Sequence, residues 1–167
     1  MMPAVLAEAP QLLIALEQSG LATAIRQSTW AYPAANVGHI LALTVFAGAV
    51  TVMDARLLGA FAAAPPASVV RPARRAAMLG LLAMLATGFV LFAAEASHVA
   101  MNRVFQIKMA LVGLGVLNAV LVGRALVAAL DGMPAFAPMP ARIRLAAFAS
   151  LAIWLSVAAC GRLIAYF

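Results

Sequence analysis

Histidine, cysteine and acidic side chains are scarce in this chain. Its 167 residues include 2 His, 1 Cys and 5 Asp or Glu, against 11 Lys or Arg. The lone thiol, Cys160, excludes an internal disulfide and an iron–sulfur cluster, and in an apolar run it reads as a small packing residue. Charged residues make up only 10% of the chain and hydrophobic ones 66%, with a mean hydropathy of +1.07. That composition excludes an ordinary soluble domain and implies a membrane protein. A net charge of +6 would suggest nucleic acid in a soluble chain; here it reads as membrane topology, and no nucleic-acid partner is expected. No basic region precedes the first apolar stretch, which Glu8, Pro10 and Glu17 interrupt, so a cleaved signal peptide is not expected.

Four runs reach the roughly 20 apolar residues that a bilayer requires: about 33–60, 76–101, 104–129 and 143–165. Backbone groups in lipid must be satisfied within the segment, so each run is a helix. The fold class is therefore all-α, a four-transmembrane-helix bundle over 33–167. Residues 1–32 are read as an outer region, in which 10–28 form an N-terminal interfacial amphipathic helix. Glu17, Gln18, Ser19, Gly20 and Arg26 make it too polar to span, while Leu13, Leu16, Leu21 and Ile25 give it an apolar side. Trp30 and Tyr32 suit the headgroup boundary, as do Tyr166 and Phe167 at the far end. Trp154, near mid-span, suits packing.

Arg56, Arg71, Arg74, Arg75, Arg124, Arg142 and Arg144 fall at one set of helix ends, and Arg26, Arg103, Lys108 and Arg162 at the other. Cytoplasmic loops carry the positive excess, which assigns 61–75 and 130–142 to the cytoplasm and both termini to the periplasm of a bacterial inner membrane. Asp54, at the inner end of the first span, is expensive unless paired, with Arg56, Arg74 or Arg75 as expected partners. The loop 62–72, with Pro65, Pro66 and Pro72, is expected to be non-helical, as is the turn-rich stretch around Asp131 and Pro134. The short turn at Asn102 and Arg103 predicts that the second and third spans are antiparallel neighbours.

Both histidines lie inside spans. His39 is six residues past Pro33 and His98 four before Asn102. At about 1.5 Å per residue the two rings sit roughly 9 Å and 6 Å below the same surface. An ionisable residue at such depth points to function. Two neutral imidazoles at one level could serve as the axial ligands of a haem iron, with His39 and His98 as the metal-binding pair. Helix capping near the headgroups, another metal and a proton relay are the competing uses. Phe46 lies on the His39 face; Thr87 and Gly88 lie on the His98 face, one or two turns below any haem edge. Glu95, one turn from His98, could orient its ring or snorkel to the surface. Arg103 and Lys108 could meet haem propionates or lipid phosphate. Asn118 suits a bond across helices, and small residues on several faces allow a homo-oligomer.

The ordered set Trp30-Ala31-Tyr32-Pro33, Asn36, His39, Asp54-x-Arg56-x-x-Gly59, Thr87-Gly88 and Phe105-x-x-Lys108 resembles a widespread bacterial family of small four-helix membrane proteins of unassigned function, over about residues 28–125. In outline it is also similar to the haem-binding group that includes the copper-resistance membrane protein D and the haem-type protoporphyrinogen oxidase. That resemblance implies haem b in the bundle, with His39 as the first-helix histidine and Lys108 as the later lysine. His98 has no clean counterpart there, so its role rests on depth alone.

The expected function is that of a b-type cytochrome in the lipid bilayer. It would hold one bis-histidine haem b near the outer face and exchange electrons with a periplasmic redox protein or quinone, as an electron-transfer protein rather than a catalyst. A haem-dependent oxidoreductase acting on a hydrophobic substrate, a metal-handling protein and a non-catalytic anchor are the alternatives.

Overall fold

In a computed structural model of the chain, residues 9–130, 132–164 and 166 are described, without the side chains of 124, 125 and 127. Glu8, Asp131, Phe167 and the Arg124 side chain therefore lie outside the described residues. Two short helices, α1 (Gln11–Glu17) and α2 (Gly20–Gln27), precede α3 (Ala31–Leu58) and α4 (Pro66–Ala94). After these come α5 (Ala96–Met101), α6 (Arg103–Leu130) and α7 (Ala141–Leu163). Four helices, α3, α4, α6 and α7, are long and apolar enough to cross a bilayer, and the chain is a multi-pass membrane protein.

Helix boundaries follow local chemistry. The Ser28 hydroxyl accepts from the Ala31 amide at 3.0 Å where α3 starts. Gly59 ends α3 at φ 117, a left-handed conformation that costs a glycine nothing. Helix α4 begins at Pro66, so most of the loop expected over 62–72 is helical. A proline in the first turn has no N–H to lose, and Pro72 is accommodated inside the helix at the loss of one further bond.

The bundle runs in the order α4, α3, α7, α6, with each helix packed along the next. The first two spans are thus direct neighbours. The second and third, expected to be neighbours as well, are not packed along their lengths. They meet near one end, where Phe92 stacks on Phe105 at 5.4 Å, and near the other, where Arg74 Nη1 donates to the Gly123 carbonyl at 3.5 Å. The cause is a break at Glu95, whose backbone (φ −141, ψ 39) is not helical. Helix α5 is inserted there and lets α4 and α6 diverge.

That break is held from far away in the chain. Glu17 accepts hydrogen bonds from the Ser97 amide at 2.8 Å and from the Ser97 hydroxyl, and so caps the new N-terminus of α5. Arg26 Nη1 donates to the Ala94 carbonyl at 2.9 Å and caps the C-terminus of α4. Acid at the N-terminus and base at the C-terminus match the helix dipoles. The polar residues that disqualify 10–28 as a span are thus the clamps that hold the α4–α5 corner. Ser19 starts α2 by accepting from the Ala22 amide, which makes two helices where one was expected. Replacing Glu17 by alanine is expected to cost about 1–2 kcal/mol locally. Hydrogen exchange checks this: the Ser97 amide should exchange faster while α7 is unchanged.

Two buried clusters hold the spans. Phe46, Val50 and Ala77 form the central one, with Trp154 set edge-on to Phe46 at 4.6 Å. Leu57, Val70, Leu126, Leu130, Met139, Ile143 and Ala147 form the other, at the arginine-rich end.

Candidate functional site

His39 lies about two turns into α3, half-buried against α4. Its Nδ1 is 2.9 Å from Thr87 Oγ1. The Thr87 hydroxyl donates its one proton to the Ala83 carbonyl at 2.7 Å, so towards the imidazole it can only accept. The tautomer that satisfies both groups has the proton on Nδ1, which leaves Nε2 with its lone pair. This is the arrangement by which an outer-shell partner fixes the tautomer and orientation of a ligating histidine.

Two glycines let the ring into the seam. A Cβ on Gly88 would lie 3.2 Å from His39 Cε1, and one on Gly38 would lie 3.3 Å from Thr87 Cγ2. Lys108 is half-buried on α6. Its ammonium passes beside Gly161 of α7, where a Cβ would lie 3.7 Å from Nζ.

His39, Thr87 and Gly88 are thus brought together across the α3–α4 seam, while Lys108 packs beside Gly161. Phe46 is buried two turns deeper, against Trp154. Arg103 is exposed at the start of α6. His98 is also exposed, on α5 beyond the break, and makes no hydrogen bond or ion pair among the described residues. Glu95 is exposed at the corner itself.

A second polar centre lies toward the arginine-rich end. Asp54 is 1% exposed, yet among the described residues it forms none of the expected ion pairs. Arg56 directs Nη2 to the Ala64 carbonyl at 2.9 Å, and Arg74 turns to Gly123. Residues two apart point to opposite sides of a helix, which is why Arg56 cannot serve Asp54. The Ser150 hydroxyl of α7 addresses the carboxylate, while among the described residues Asp54 Oδ2 has no hydrogen-bond partner. Asp54 lines a cavity of about 260 Å³ between α3, α4, α6 and α7. Ser150 was legible in the sequence only as a close-packing position; a hydroxyl level with the inner acid was the available signal. Among the described residues no group of three His, Cys, Asp or Glu side chains could cage a bare metal ion.

A family model matches residues 26–167, which takes in all four spans, His39, Thr87, Lys108 and Asp54. The chain belongs to the family of unknown function DUF6644. The match leaves α1 outside and assigns no chemistry to the shared region. No curated protein and no solved structure matches the chain.

Proposed function

We propose that the protein is a b-type haem protein of the bacterial inner membrane, with His39 as an axial ligand through Nε2. The reading rests on one observation: Thr87 Oγ1 lies 2.9 Å from His39 Nδ1 while its hydroxyl is bonded to the Ala83 carbonyl, an arrangement that favours a free lone pair on Nε2. The arginine-rich loops would face the cytoplasm, and His39 and both termini the periplasm. Bound haem would supply a one-electron iron couple near the outer face. His39 would hold the iron, Thr87 would fix the imidazole, and Lys108 would balance a propionate. The α3–α4 seam is closed at this level by the Gly38 and Gly88 contacts, so the macrocycle would have to be held from the Lys108 side. The partner on this reading is a periplasmic redox protein or quinone in the lipid.

A second reading, a haem-dependent oxidoreductase, is favoured by the exposed place of His98 beyond the helix break. With His39 as its one ring ligand inside the bundle, a bound haem would supply a site at which substrate could be oxidised. An optical spectrum of protein purified from cells supplied with iron and porphyrin precursor separates the two. Sharp low-spin bands on reduction fit His39 with His98 in an electron carrier; a high-spin spectrum fits the oxidoreductase. A colourless preparation rules out both.

Thr87 gives a finer test. Thr87→Val keeps the shape and removes the acceptor for Nδ1–H, so haem affinity is expected to fall about 10–100-fold, the usual cost of losing an outer-shell partner. Thr87→Ser should restore it. Haem titration into apo-protein, followed at the Soret band, checks both variants.

A further inference from the structure

The cavity beside Asp54 opens sideways to the lipid. Met78 of α4 and Val120 of α6 line it and are 57% and 61% exposed, in the seam where those helices are not packed together. Phe46 and Trp154 line its mid-membrane end. Asp54, eight residues along α3 from Phe46, lies about 12 Å further toward the arginine-rich end. The chamber is therefore aromatic at one end and polar at the other.

Apart from the Ser150 hydroxyl, its polar end offers Asp54 no donor among the described residues. Asp54 Oδ2 is buried without a partner. Asn118 of α6 spends its amide on the Ala146 carbonyl at 3.1 Å, and Arg74 reaches Gly123 instead. A buried acceptor in this state is a site waiting for an O–H or N–H group. An acyl chain entering from the lipid offers none.

Size narrows the occupant further. A cavity of about 150 Å³ accepts benzene. At about 260 Å³ this one suits a single substituted ring and is too small for a porphyrin. A ring of that kind would meet Phe46 and Trp154 with favourable aromatic geometry.

We propose that this cavity binds a single-ring quinol taken from the lipid phase between α4 and α6, with a ring hydroxyl donating to Asp54 Oδ2. The proposal rests on the cavity alone and is independent of haem at His39.

The test uses the full chain in lipid nanodiscs with Trp30→Phe, so that Trp154 is the only tryptophan reporting. Decyl-ubiquinol kept reduced should quench Trp154 fluorescence saturably. Its dimethyl ether, which cannot donate, should bind about tenfold more weakly or worse, and Asp54→Asn should weaken the free quinol by a similar factor. His39→Ala should leave the titration unchanged, which separates this site from the haem reading. Quenching that never saturates, or equal midpoints for the quinol and its ether on the unaltered cavity, would overturn the proposal even where Asp54→Asn fails to fold.

Discussion

His39→Ala is expected to give a folded membrane protein that retains about a tenth or less of the wild-type haem. The ring is half-buried, touches Gly88 and is bonded to Thr87, so its removal takes away both the donor nitrogen and the group that positions it. The backbone should tolerate the change, because the α3–α4 interface is carried by Phe46, Val50 and Ala77 deeper in the bundle. Unchanged elution on size exclusion and an unchanged far-ultraviolet circular dichroism spectrum would show that folding is intact. Imidazole added to the apo-variant should restore part of the Soret band by entering the vacated space. His98→Ala is expected to act differently: pigment stays, and any low-spin bands give way to high-spin ones. Full haem content in purified His39→Ala would remove the basis of the proposed function.

The second large effect lies in packing. Gly80 is buried on α4, and a Cβ there would lie 3.0 Å from the N, Cα and Cβ of Phe46. Backbone cannot swing away as a flexible side chain can, so α3 and α4 must part or the residue must strain. Gly80→Ala is expected to destabilise by about 1–3 kcal/mol, as overpacking of a filled core does. For a chain of this length each 1 kcal/mol moves the midpoint by about 2–4 °C. Gly48→Ala and Gly113→Ala provide the opposite sign, because nothing lies within 4 Å of either added Cβ. Helix propensity alone then stabilises by up to about 1 kcal/mol each. Thermal unfolding of the three variants in one detergent decides the matter, and equal midpoints would contradict the close approach at Gly80.

The spans were legible because length and apolarity suffice to define them. Trp154 was read correctly for the same kind of reason, since a mid-membrane ring carries a local signal for packing. The corner at Glu95 carried none. Glutamate breaks no helix, and the bonds that hold this break come from Glu17 and Arg26, about 70–80 positions away. A ruler of 1.5 Å per residue assumes one straight helix to Met101, so it could not find the exposed place of His98 on α5.

Thr87 and Gly88 were assigned to the face of His98 by counting along their own helix. The structure sets them against His39, because the side chains that meet across a seam depend on the rotation of both helices. Asp54 was expected to pair with Arg56, Arg74 or Arg75. Burial was foreseen, but the direction of each guanidinium was not: Arg56 answers a loop carbonyl and Arg74 a carbonyl of α6.

The most direct measurement is the haem content of the wild-type protein, determined as the pyridine haemochrome after purification from cells with ample iron and porphyrin precursor. The expected result is about one haem b per chain, with an axial imidazole visible by electron paramagnetic resonance. Protein that is folded, monodisperse and free of haem under those conditions would contradict the assignment of His39 as a ligand.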